Sequence, residues 1–504
     1  MKEADATALF HDGCIAVASV IADRMAEDGL ARTRHHIERE TPRHRPTPSE
    51  RPRMTEDIIR TSHGPVRGER TETGVRFLGI PYARPPIGPL RFAAPVPPEP
   101  WAEVLDARVY GPTAQRRPFA EVTTIPEPCV PGESTLNLNV FTPARAAGQT
   151  GLPVLVWIHG GGFVAGCSAS PWYDGTAFNR DGVVLVSLGY RLGIEGFLHL
   201  EDSPDNRGVL DWIAALRWVR ENIAAFGGDP DKVTVAGQSA GGGAVQTLLA
   251  TPAAAGLFRA AISASGAVMR PQGPEFAATV SELFTARTGV PVTAAALQSL
   301  TDEEILALQD ALNAPGPDRD ALPMLVLAPF ADGALIPEPV PDALIAGAAG
   351  QDIPLMIGCT AHEFNAVAEG EAGQALTDQI FRAPALAVAE SRASRDLPTW
   401  LYQFDWTATA PAFEGLAHHC ADLPFAFDLL GAEGVDKALG EAPPQQLADA
   451  VHAAWVAFVR DLDPGAAWPS YSTERRETRV WNTESRTERD PLRCVRETWL
   501  GAET

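Results

Sequence analysis

Short apolar runs and longer stretches of helical period alternate along most of the chain. The runs Val154–Ile158, Val183–Ser187, Val233–Gly237, Ala261–Ala264, Pro354–Gly358 and Leu401–Asp405 have strand length and are bounded by turn formers. They are apolar almost throughout and do not alternate with polar residues, the pattern of strands covered on both faces. Between them lie helical stretches. Val209–Phe226, for example, sets Leu210, Ile213, Leu216 and Val219 on one face. Buried strands alternating with helices predict an α/β fold with a mostly parallel central sheet, helices on both sides and inserted loops. No fixed-period repeat interrupts the pattern, and no long linker divides it after residue 54.

Composition narrows the function classes. In a chain of 504 residues, 45% hydrophobic and 21% charged residues can bury a large core and exclude a disordered or fibrous protein. A net charge of −23 disfavours nucleic acid and anionic membrane surfaces as partners. No apolar run approaches the ~18–20 residues of a membrane span. Six cysteines without a CxxC spacing build neither a disulfide framework nor a metal motif, so a reducing cytoplasm is expected.

Residues 1–53 differ from the rest. They are close to charge-neutral and hold four of the eleven histidines. The apolar stretch Cys14 to Ala22 reads as a short amphipathic helix, because a positive leader and a small-residue cleavage site are both missing. The Arg- and Pro-rich stretch 39–53 reads as a flexible linker. The expectation is an appendage of 1–53, read as an artefact of an upstream start codon, followed by one domain over 54–504.

Two glycine-rich motifs carry the chemistry. Gly237-Gln238-Ser239-Ala240-Gly241 fits G-x-S-x-G, with an apolar run before it and a helical stretch, Ala240 through Leu249, after it. A strand–turn–helix lifts the serine to the end of the sheet beside a helix N-terminus. The bland alternative is a glycine-rich turn. The second motif, His159-Gly160-Gly161-Gly162-Phe163, follows another strand and can aim backbone N–H groups at an oxyanion. A phosphate loop would require Lys and Ser or Thr after its glycines, and they do not follow. Together the motifs supply what acyl transfer needs: a nucleophile and a place for developing negative charge.

From about Ser62 to about Trp481 the sequence resembles the type-B carboxylesterases, an α/β-hydrolase family that includes para-nitrobenzyl esterases and cholinesterases. The matching segments include Phe77-Leu78-Gly79-Ile80-Pro81-Tyr82-Ala83, Leu136-Asn137-Leu138-Asn139-Val140, Asn206-Arg207-Gly208 with Asp211, and Phe226-Gly227-Gly228-Asp229-Pro230. The resemblance implies that Ser239 is the nucleophile and that Gly161, Gly162 and Ala240 form the oxyanion hole. It implies that Glu363, after Pro354–Gly358, is the acid and that His419, before Asp422-Leu423-Pro424-Phe425, is the base. The adjacent His418 is the competing choice, and spacing to Leu423 favours His419. His362 is expected to face solvent or pack locally, and His159 to be structural. Ser265 matches a position that supports the acid or the histidine, with an ordinary strand-end serine as the alternative. Arg191 with Asp211, and Glu133 with Arg91, are expected ion pairs.

The implied activity is hydrolysis of small-molecule carboxylic esters through an acyl-enzyme, with no metal or organic cofactor. Amide, carbamate or thioester hydrolysis on the same machinery remains open. A non-catalytic adhesion or scaffold protein is disfavoured because all three triad residues are present. Three departures from the family pattern matter. Gly132-Glu133-Ser134-Thr135 lacks the cysteine of secreted members, and Gln238 stands where several relatives carry Glu. The stretch from Glu363 to His419 is short, which predicts a reduced cap and a more open pocket.

Overall fold

The computed structural model describes residues 57–118, 123–144, 150–267, 272–347, 349–368 and 370–501. The appendage expected over 1–53 lies outside these residues. Among the described residues, the strands β1 (Ile58–Arg60), β2 (Pro65–Arg67) and β5 (Leu105–Asp106) form a small sheet. The remaining strands are β3 (Glu69–Arg70), β4 (Gly74–Pro81), β6 (Asn137–Pro143), β7 (Leu152–Ile158), β8 (Val184–Leu188) and β9 (Gly228–Gln238). They continue with β10 (Ala260–Ala264), β11 (Leu355–Thr360), β12 (Thr399–Phe404), β13 (Glu477–Trp481) and β14 (Arg486–Arg489). These form one sheet in the order β14-β13-β12-β11-β10-β9-β7-β8-β6-β4-β3. From β8 to β13 every neighbouring pair is parallel. The two margins are antiparallel.

Strand alternation in β7 shows why the centre reads as apolar throughout. Val154, Val156 and Ile158 enter one core with Trp212 and Leu216. Leu155 and Trp157 enter the other with Phe178, Phe427 and Trp455. Both faces are covered, so neither can be polar. The marginal strands were not read from the sequence, because they carry polar residues. Asn139 in β6 is buried, yet it accepts from the Gly79 N–H at 2.9 Å and donates to Ser187 Oγ at 3.0 Å. Buried polar groups satisfied in this way hide a strand from a hydropathy pattern.

The predicted helix over Val209–Phe226 is an α-helix, Arg207–Asn222, closed by a 3₁₀ turn, Ile223–Phe226, and by Gly227 at φ 92°. Arg191 and Asp211 form the expected buried pair, with Nη2–Oδ1 at 2.7 Å and Nε–Oδ2 at 2.9 Å. The expected Arg91–Glu133 pair does not form. Arg91 is buried and its Nε meets Glu195 Oε1 at 2.6 Å, while Glu133 is exposed.

The chain leaves β7 to pair with β8 on one side and β9 on the other. Loops leaving the carboxyl ends of β7 and β9 therefore emerge side by side, where α/β sheets open a crevice. Ile158 is paired with Gly237, so the His159–Phe163 loop and the Ser239 turn are neighbours.

Candidate active site

Ser239 stands between β9 and the helix Ala240–Leu249, at φ 59° and ψ −126°. This backbone state is strained for a residue with a Cβ. The turn is held by Ser239 N–H to Ala264 O at 3.0 Å and by Gly243 N–H and Ala267 N–H to Ser239 O at 2.9 and 3.1 Å. Its tightness explains Gly241, where a Cβ would lie 2.0 Å from the Ile158 carbonyl oxygen.

In the neighbouring loop Gly161 and Gly162 adopt φ 107° and 60°, open to glycine and costly for other residues. The Gly161 carbonyl is used, accepting from Val164 N–H at 3.0 Å and Ala165 N–H at 2.9 Å. Among the described hydrogen bonds, the N–H groups of Gly161, Gly162 and Ala240 donate to no protein carbonyl. Three unspent donors beside a helix N-terminus suit an anion. His159 anchors the loop: its ring stacks on Tyr190 at 4.5 Å, and its Nδ1 lies 2.8 Å from Gly160 O. Burial pushes its pKa down to about 4, so it stays neutral and structural.

Glu363 lies in the turn after β11, with its side chain fully buried. Its Oε1 accepts from Ser265 Oγ–H at 2.5 Å and from Thr360 N–H at 2.8 Å. Its Oε2 meets Nδ1 of His419 in a short contact. Burial by itself raises the Glu363 carboxyl, but the charge of His419 and these hydrogen bonds outweigh it and hold the group below the usual range. Burial likewise opposes a charged His419, while Cys420 and Glu363 outweigh it and raise the imidazole well above its ordinary value.

The choice between the two histidines is geometric. His418 is buried, stacks on Phe413 at 4.0 Å, and turns its ring nitrogens to the carbonyls of His419 and Ala438 at 2.8 and 3.0 Å. Burial pushes its pKa down to about 4. Only His419 reaches Glu363, and Phe364 and Phe381 flank its ring at 5.9 and 5.3 Å. His362 packs locally, and its Nδ1 accepts from Ala417 N–H at 3.0 Å. That bond ties the Glu363 turn to the His419 loop, a link that left no signal in the sequence. The Ser239 hydroxyl makes no hydrogen bond to a described protein group, while Nε2 of His419 lies 3.2 Å from the side-chain nitrogen of Gln238. Such contacts are often loose before substrate binds.

The model of the Carboxylesterase family matches residues 55–375 and 368–494. The chain belongs to the carboxylesterase family. It is similar to a para-nitrobenzyl esterase of Bacillus subtilis, 39% identical over 487 residues that cover 87% of this chain and 97% of that protein. It is also similar to the cocaine esterase of Homo sapiens, 32% identical over 82% of this chain and 86% of that protein. A solved para-nitrobenzyl esterase superposes with a TM-score of 0.80 at 36% identity, covering 88% of this chain and 99% of that one. A carboxylesterase of Geobacillus stearothermophilus superposes with a TM-score of 0.75 at 34% identity over 88% of this chain and 99% of that one. The fold is therefore the α/β-hydrolase fold, and the protein is a carboxylic-ester hydrolase. Among the described residues of this carboxylesterase, no helix is long and apolar enough to cross a membrane.

Proposed function

We propose that this carboxylesterase hydrolyses small-molecule esters through an acyl-enzyme on Ser239. His419 Nε2 takes the Ser239 proton as Oγ attacks the ester carbonyl. The N–H groups of Gly161, Gly162 and Ala240 stabilise the tetrahedral oxyanion. The imidazolium then returns the proton to the departing alcohol, and water cleaves the acyl-enzyme by the same steps in reverse. Glu363 stays ionised, keeps the Nδ1 proton in place and stabilises the imidazolium. Ser265 supports Glu363. The observation that carries this reading is the contact of His419 Nδ1 with a fully buried Glu363, beside a strained serine and three unspent N–H donors.

Partly buried Met324, Leu325, Phe364 and Leu376 pack with Phe381 near His419, and they support a pocket wall for apolar or aromatic ester groups. Five described cysteines are unpaired, which supports a reducing, cytoplasmic compartment. The test is hydrolysis of p-nitrophenyl acetate, butyrate and benzoate by wild type and Ser239→Ala, with intact mass after an organophosphate. Turnover and a single adduct on wild type alone support the mechanism. An inert, unlabelled wild type refutes it. Turnover of the acetate with rejection of the benzoate refutes the open aromatic pocket.

A further inference from the structure

Gln238 ends β9 immediately before Ser239 and is 1% exposed. Its side chain lies between the two loops of the site. The amide nitrogen is 3.2 Å from Nε2 of His419. The amide oxygen faces the other way, 3.3 Å from where a Cβ on Gly160 would stand, and has no hydrogen-bond partner. A buried carbonyl without a partner is costly, so this orientation needs a reason. Turning the amide over would bring the oxygen to Nε2, which must then carry a proton; with Nδ1 also donating to Glu363, the ring would be an imidazolium.

An amide nitrogen donates and cannot accept. Facing it, Nε2 must offer a lone pair, which leaves the ring proton on Nδ1 against Glu363. That is the tautomer a general base needs. The rest of the surroundings pull the other way. Glu363 at Nδ1 and the buried carboxyl of Asp422, three residues on, both favour a positive ring. The other groups around the ring do not counter them. His418 is neutral, Cys420 adds to the pull, and Phe364 and Phe381 carry no charge. On the helical segment that carries Phe381, Asp378 and Arg382 pair with each other, and Arg382 also donates to Ala361 O. A ring charged at rest could not accept the serine proton.

We infer that Gln238 is a positioning residue for the hydrolysis, its side-chain N–H holding the His419 imidazole as the free base with the proton on Nδ1. The inference rests on the assignment of His419 as base. Gln238 is the counterweight to Glu363: the acid orients the ring and stabilises the charge that forms, and the amide keeps that charge from forming too early. Nε2 has one lone pair, so the amide N–H gives it up as the ring turns toward the Ser239 hydroxyl, before the proton is transferred, and the imidazolium then faces the leaving oxygen. A carboxylate at the same place can only accept, and it would stabilise the charged ring at rest.

The test is the pH profile of kcat/KM for p-nitrophenyl butyrate in Gln238→Glu and Gln238→Leu, with active sites counted by organophosphate labelling. The acid limb should move up by about one unit or more in Gln238→Glu, where an anion faces the ring. It should move up by about half a unit in Gln238→Leu, where one neutral hydrogen bond is lost. A purely structural role would lower the count of active sites and leave the limb in place. Limbs within about 0.2 unit of wild type in both variants, or a downward shift in Gln238→Leu, overturn the inference. Nitrogen NMR of histidine-labelled wild type, with His419→Ala for assignment, needs neither activity nor a Gln238 variant. At pH 8 the inference requires an unprotonated Nε2 and a protonated Nδ1, and a protonated Nε2 overturns it. Failure of ester turnover with this tautomer present counts against the general-base assignment and leaves the Gln238 contact standing.

Discussion

Replacing Ser239 by glycine should stabilise the protein relative to replacing it by alanine. Both variants lack the nucleophilic oxygen, and that oxygen makes no hydrogen bond to a described protein group, so its loss costs little packing or bonding. The variants differ in the Cβ. At φ 59° and ψ −126° any residue with a Cβ is strained, at about 1–3 kcal/mol. Glycine removes that strain but loses about 0.5–1 kcal/mol through the greater freedom of its unfolded chain. The difference is about 0–2.5 kcal/mol, centred near ~1 kcal/mol, in favour of Ser239→Gly, the reverse of the usual order. Because the unfolding entropy of so long a chain is large, the melting temperature should differ by only about 1–3 °C. Urea unfolding read by tryptophan fluorescence gives the free-energy difference directly, since 11 tryptophans report on the fold. A glycine variant as stable as the alanine variant, or less stable, would refute the claim that the turn stores strain to present the serine.

Three further outcomes follow from the buried polar groups. Ser265→Ala leaves Oε1 of Glu363 with the Thr360 N–H alone, and kcat/KM should fall about tenfold or more with little change in KM, since a hydrogen bond to a charged group contributes about 1.5–3 kcal/mol. Asp211→Asn strands the Arg191 guanidinium, which is 1% exposed, and should cost about 3–5 kcal/mol in urea unfolding while the turnover per labelled active site stays within about twofold. Asp422 has its carboxyl raised to about 6 by burial and by Glu363, against a hydrogen bond from Tyr402. A carboxyl raised on folding weakens the folded state as pH climbs from its unfolded value of about 3.9 through 6. Asp422→Asn should therefore melt higher than wild type at pH 8 and lose that advantage below pH 4; an advantage independent of pH would rule out the buried charge as its source.

Much of the architecture was legible in the sequence because the central strands are apolar on both faces. Runs such as Val154–Ile158 and Val233–Gly237 reappear as the inner parts of β7 and β9, and Ala240–Leu249 is the helix expected after the elbow. The marginal strands were missed because Asn137, Asn139 and Thr142 in β6, and Glu477 and Arg479 in β13, break the apolar signal. Glu133 was paired with Arg91 on family pattern alone, whereas Arg91 in the folded chain turns to Glu195.

The sequence by itself determined the local chemistry, a serine in a turn only glycines can flank and a loop of free N–H groups, while Glu363 and His419 came from the resemblance to the family. Those features depend on residues near one another in the chain, where sterics and propensity act directly. Tertiary structure decided what depends on residues far apart. It brought the ring of His419, and not that of His418, to Glu363, 56 positions away. It gave Ser265 its partner 98 positions away. It set the amide of Gln238 against a ring 181 positions along the chain. No local rule fixes such a meeting, because it is settled by how the strands order themselves in the sheet and by which groups burial forces to find a partner.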